Sequence, residues 1–136
     1  MIVLDEQLLG LGLDHQISRW YRGRVDFVIS LRPGSVIKDD AIPTLLRRLQ
    51  DPTFVTINVA DFWRRAPARD HCCLVCFALP DSRAGAIPEG LRALLRSSGF
   101  RTKGKRMGKV VRVSERDVRF YSVSDDTVQK LSLRCL

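Results

Sequence analysis

The sequence predicts an α/β fold: a three-layer α/β/α sandwich with a mostly parallel sheet and a C-terminal β-hairpin. Three observations carry this. Short apolar runs alternate with segments of helical period through residue 98, acidic residues follow the apolar runs, and the period changes to alternation from Lys109 onward. A chain of 136 residues is one domain long, and it buries a sizeable core without disulfides or a structural metal. Residues 1–136 are therefore read as a single domain, with no repeat, low-complexity tract or linker.

Residues 2–4 are all apolar and form the first strand. From Glu6 to about Tyr21, Leu8, Leu9, Leu11, Leu13, Ile17 and Trp20 recur near helical spacing, and Gly23 ends the helix. Residues 25–30 are a second strand, and Arg32-Pro33-Gly34-Ser35 is a turn leading to Asp39 and Asp40, one of which caps a helix. Pro43 is tolerated in that helix's first turn, and Leu45, Leu46 and Leu49 supply its inward stripe. Residues 53–58 are a third strand, residues 59–68 a short helix or turn, and residues 71–79 a fourth strand. Pro88 opens a helix through Leu91, Leu94 and Leu95, which Gly99 stops. Residues 109–113 and 118–121 alternate around Ser114-Glu115-Arg116 as a hairpin, and the residues from Ser124 carry no assignment.

Hydrophobic residues are 45% and charged residues 28% of the chain, the balance of a folded soluble protein rather than a disordered one. A net charge of +8 and a pI near 9.9 make nucleic acid the leading partner. The apolar start is met at once by Asp5-Glu6, unlike a signal peptide, and no stretch reaches the ~18 apolar residues of a membrane span. A cytoplasmic location with reduced, buried thiols is expected.

Asp5 closes the first strand, Asp40 starts a helix, and Asn58 and Asp61 follow the third strand. Four oxygen-bearing side chains at element ends on one sheet edge suit Mg²⁺ or Mn²⁺, held by few protein ligands and several waters. Such an ion activates water and stabilises charge on phosphate oxygens. The plain structural reading of each acid is a helix cap. It is the better reading for Asp39; Asp40 serves either role, and Asp61 could cap a helix starting at Phe62. Asp5 resists it, because an acid beside Glu6 directly after a buried strand suffers desolvation and repulsion that a cation relieves.

Thr56-Ile57-Asn58-Val59-Ala60-Asp61-Phe62, preceded by Asp40-Ala41 and by Val3-Leu4-Asp5, resembles the T-x-N-x-x-D-F signature, the D-A helix start and the opening strand of PIN-domain nucleases, VapBC-type toxins among them. With the terminal Gly108-Lys109-Val110-Val111-Arg112-Val113 it is similar, over nearly the whole chain, to short PIN-like families of unknown function. The resemblance implies a metal-dependent ribonuclease, with Asp5, Asp40 and Asp61 as catalytic metal ligands, Asn58 completing the pocket and Thr56 positioning a water or ligand. The family's further acid would fall to Glu6 or Asp39, since Asp26 lies inside a strand. An antitoxin protein would then be a partner, and the size leaves room for a homodimer.

Residues 100–123 form a basic hairpin region. Arg101, Lys103, Lys105, Arg106, Lys109 and Arg112, with Arg116 and Arg119 beyond, face only Glu115 and Asp117. The first six are the expected contacts to RNA phosphates, against the alternative of a solvated hairpin edge where Lys discourages pairing. Cys73-Leu74-Val75-Cys76, with His71 nearby, has C-x-x-C spacing, but strand positions three apart point to opposite faces, so core thiols are expected rather than zinc or redox chemistry. Trp20, Tyr21 and Trp63 could stack bases, though packing is commoner. Two rival readings fit the same sequence: a non-catalytic nucleic-acid-binding PIN-like module, and a receiver-like phosphorelay domain. The second is disfavoured because Asn58 stands where a phospho-accepting Asp is required.

Overall fold

The computed structural model describes residues 1–31 and 41–136. Seven strands form one sheet: β1 (Ile2–Leu4), β2 (Val25–Phe27), β3 (Thr53–Thr56), β4 (Cys73–Phe77), β5 (Lys109–Val113), β6 (Val118–Ser122) and β7 (Gln129–Leu131). Their order is β2-β1-β3-β4-β5-β6-β7. The pairs from β2 to β5 are parallel and the last two are antiparallel. The α/β class and the mostly parallel sheet agree with the sequence; β7, short and polar, had no signal there.

Helices pack on both faces. On one, α1 (Leu13–Ser18) and α4 (Ile87–Arg96) bury Leu13, Ile17, Leu91 and Leu94 against Leu4, Val55, Val75, Phe77 and Val111. On the other, α2 (Ile42–Arg47) and α3 (Val59–Phe62) bury Ile42, Leu46 and Phe62 against Val3, Phe54, Leu74 and Val110. Strand residues alternate between these two cores, which is why the central strands read as unbroken apolar runs. A fifth helix, α5 (Lys103–Arg106), precedes β5. The β1-to-β2 and β4-to-β5 crossovers share one face yet run in opposite directions across the sheet. They therefore have opposite hands, an exception to the usual uniformity of such crossovers.

Several boundaries differ from the sequence reading. The helix expected from Glu6 to Tyr21 is a 3-10 turn at Glu6–Leu8 followed by the shorter α1. Gly10 and Gly12 interrupt it with φ of 80° and 70°, left-handed backbone that glycine adopts without penalty. Leu9 and Leu11 are consequently exposed rather than inward. Gly12→Ala meets no atom but is strained, and should lower stability by about 1 kcal/mol in urea titration. The second strand gives way to a 3-10 turn at Val28–Leu31. In α3 the cap is Asn58, whose side chain accepts from the Asp61 amide; Asp61 lies inside the helix and does not cap one starting at Phe62. The expected caps Asp39 and Asp40, and the turn before them, lie outside the described residues.

Candidate functional site

In a sheet ordered β2-β1-β3, the chain leaves β1 toward one side and β3 toward the other. The carboxyl ends of these neighbours mark the switch point where open α/β sheets take their ligands. Asp5 directly follows β1 and Thr56 ends β3. The Thr56 hydroxyl donates to Asp5 Oδ2 at 2.6 Å and accepts from the Asn58 amide at 3.0 Å. Asn58 Nδ2 donates to Asp61 Oδ2 at 2.7 Å, and Asn58 Oδ1 accepts from the Asp61 amide at 3.2 Å. Thus Asp5, Thr56, Asn58 and Asp61 form one hydrogen-bonded string from the buried end of the site to its exposed lip.

The two carboxylates differ in environment. Asp5 is buried, and burial raises its pKa above the ordinary value; the Glu6 charge adds to this, while the Thr56 hydroxyl and the Glu6 amide oppose it. Asp61 is exposed. Among the described residues no three His, Cys, Asp or Glu side chains gather. Asp5, Asp61 and the oxygens of Thr56 and Asn58 are what this edge offers, and two carboxylates with waters suit one small hard cation. Glu6 adjoins Asp5 and interacts with it electrostatically. Asp26 is ion-paired with Arg24.

Register extends the site sideways. Thr56 pairs with Cys76, Cys76 with Arg112, Arg112 with Arg119, and Arg119 with Lys130. Paired residues share a face, so Asp5 and Thr56 begin a row that turns basic at β5. Arg112 stands roughly 14 Å from the Asp5 position at three strand spacings of ~4.8 Å. Beside it lies an open cavity of about 760 Å³ lined by Arg112, Arg116, Arg119 and Trp63, among others. Arg119 is hydrogen-bonded to Asp117 at 3.0 Å, which holds that carboxyl below its usual range. Arg112 and Arg116 have no carboxylate within ion-pair distance among the described residues.

The basic run does not act as one surface. Arg112 alone of the six expected RNA contacts lies in this row. Arg106 is buried, its guanidinium donating to Thr53 Oγ1 at 3.0 Å and to the Phe100 carbonyl at 3.1 Å. Lys109 donates to the Gly99 carbonyl at 2.8 Å over the Phe100 and Phe120 rings. Arg101, Lys103 and Lys105 are exposed but precede β5, at the amino edge of the sheet. Charge counting includes Arg116 and Arg119 in the run, but only pairing register reveals that Arg119 and Arg112 share a face with Asp5.

Cys73 and Cys76 lie in opposite cores, and burial pushes both thiols up to about 12. Among the described residues no helix is long and apolar enough to cross a membrane. No family model, curated protein or solved structure matches the chain.

Proposed function

We propose that the chain is a PIN-like ribonuclease that hydrolyses RNA phosphodiesters with one Mg²⁺ or Mn²⁺ at the Asp5 end of the sheet. The observation that carries this reading is the placement of Asp5, tied through Thr56 to Asn58 and Asp61, at the switch point beside an arginine row. The ion would supply an activated water and charge stabilisation at the phosphate.

The chain's own residues do the rest. Thr56 fixes the rotamer of Asp5 by donating to its Oδ2. Asn58, by capping α3, sets the direction of Asp61. Arg112 and Arg119 share a face and would hold phosphates of the strand. Asp40, outside the described residues, would be the downstream acid on the family's pattern. An antitoxin role for a partner belongs to the same reading.

The test is a labelled single-stranded RNA incubated with the full chain in Mn²⁺, Mg²⁺ or EDTA. Cleavage with either ion and none in EDTA is expected. RNA that is bound but stays intact in both ions overturns the enzyme and supports a binding module. That second reading is favoured by one feature: burial raises the pKa of Asp5 against the opposing Thr56 hydrogen bond, which disfavours the charged carboxylate that a cation requires.

A further inference from the structure

At the opposite end of the sheet, where α1 and α4 finish and β2 and β5 begin, lies a second hollow of about 420 Å³. This is within the usual size of small-ligand pockets. Its rim is cationic: Arg22, Arg92, Arg96, Arg101 and Lys103 line it, and no carboxylate does. None of these five has an acidic partner within ion-pair distance among the described residues. Its floor is apolar, made by Leu95 with Trp20 and Tyr21, whose rings meet edge to face at 6.2 Å.

Isolated surface cations keep apart and stay solvated. Five gathered around one concave, partly apolar surface repel one another, and an anion entering the hollow reverses that repulsion. Aromatic rings under a positive rim match a flat base attached to phosphates, the combination by which proteins hold single strands. Acidic peptides would satisfy the rim but leave the ring floor unused.

We propose that this hollow is a second nucleic-acid site, which holds a single-stranded segment by its phosphates with a base against Trp20 and Tyr21. It lies a full strand length from Asp5, so it anchors the strand without touching the reacting phosphodiester. Arg101 and Lys103, which the arginine row beside Asp5 leaves out, belong to it.

The test measures binding only, so it is independent of whether the chain cleaves RNA. Fluorescence anisotropy of a labelled 12-nucleotide oligouridylate is followed in EDTA for three proteins: wild type, Arg22→Glu/Arg96→Glu, and Arg47→Glu/Arg48→Glu as a charge-matched control at the C-terminal end of α2. All four replaced arginines are exposed. The expected result is an affinity loss of at least about tenfold for the first pair, with a salt dependence shallower by about 1.4 in log–log slope for two lost phosphate contacts. The control pair should stay within about twofold. A milder Arg22→Gln/Arg96→Gln variant, with circular dichroism matching wild type, should lose affinity in the same order and guards against misfolding. Equal losses in both reversed pairs, no loss in either, or capture of an oligoglutamate peptide with RNA left unbound would each overturn the proposal.

Discussion

Asp5→Asn is expected to abolish Mn²⁺-dependent RNA cleavage while leaving a fold more stable than wild type in metal-free buffer at neutral pH. The two effects share one cause. Asp5 is buried and its pKa in the folded protein is raised by desolvation. A carboxyl of this kind contributes stability that is fully present below its ordinary value of 3.8 and is lost as pH rises through the folded pKa. At neutral pH the wild-type fold carries that loss; asparagine does not, and its Oδ1 still accepts from the Thr56 hydroxyl. The melting temperature of the variant should therefore exceed wild type at pH 7, and the gap should shrink below about pH 4. Mn²⁺ should raise the wild-type melting temperature and leave the variant's unmoved. Activity should fall by more than the roughly 10–100-fold that loss of an outer-shell partner costs at metal sites. Cleavage retained by the variant would remove Asp5 from the chemistry.

Arg106→Ala is expected to cost about 3 kcal/mol of stability, because it strands the buried Thr53 hydroxyl and the Phe100 carbonyl at roughly 1–3 kcal/mol each. In a chain of this size that lowers the melting temperature by roughly 10 °C. Arg106→Lys should recover only part of it, since an ammonium cannot reproduce the planar fork that reaches Thr53, Phe100 and Arg101 together. A variant as stable as wild type but weak in RNA binding would return Arg106 to the binding surface. Thermal melts and anisotropy titrations separate the two roles.

The parallel α/β plan was legible because βα alternation leaves a strong pattern: all-apolar triplets, amphipathic helices and acids at strand ends. The string Asp5, Thr56, Asn58 and Asp61 was legible for the same reason, since each lies at or just beyond a strand's carboxyl end. What failed was local. Leu9 and Leu11 fit a helical stripe, yet Gly10 and Gly12 take left-handed backbone that a hydrophobic pattern does not register. Asn58 and Asp61 are both good caps, and only the hydrogen bonds show that Asn58 has the position. The basic run misled more deeply. It is continuous in sequence, but β5 passes through its middle, so its five residues carry the chain roughly 13–17 Å from one sheet edge to the other. Arg101 and Lys103, before β5, join a hollow at one end; Arg112, Arg116 and Arg119 line a cavity at the other.

Cys76 bears on the metal preference proposed for this edge of the sheet. It sits between Thr56 and Arg112, the one sulfur in a line of oxygen and nitrogen groups, and its thiol is pushed up to about 12. Thiophilic cations bind the deprotonated sulfur, and burial makes that form costly here. A soft cation such as zinc or cadmium would have to displace the thiol proton and reach a sulfur with no exposed surface, a cost that a hard ion held by oxygen ligands does not meet. Selectivity of this sort needs no dedicated filter: it comes from burying the sulfur.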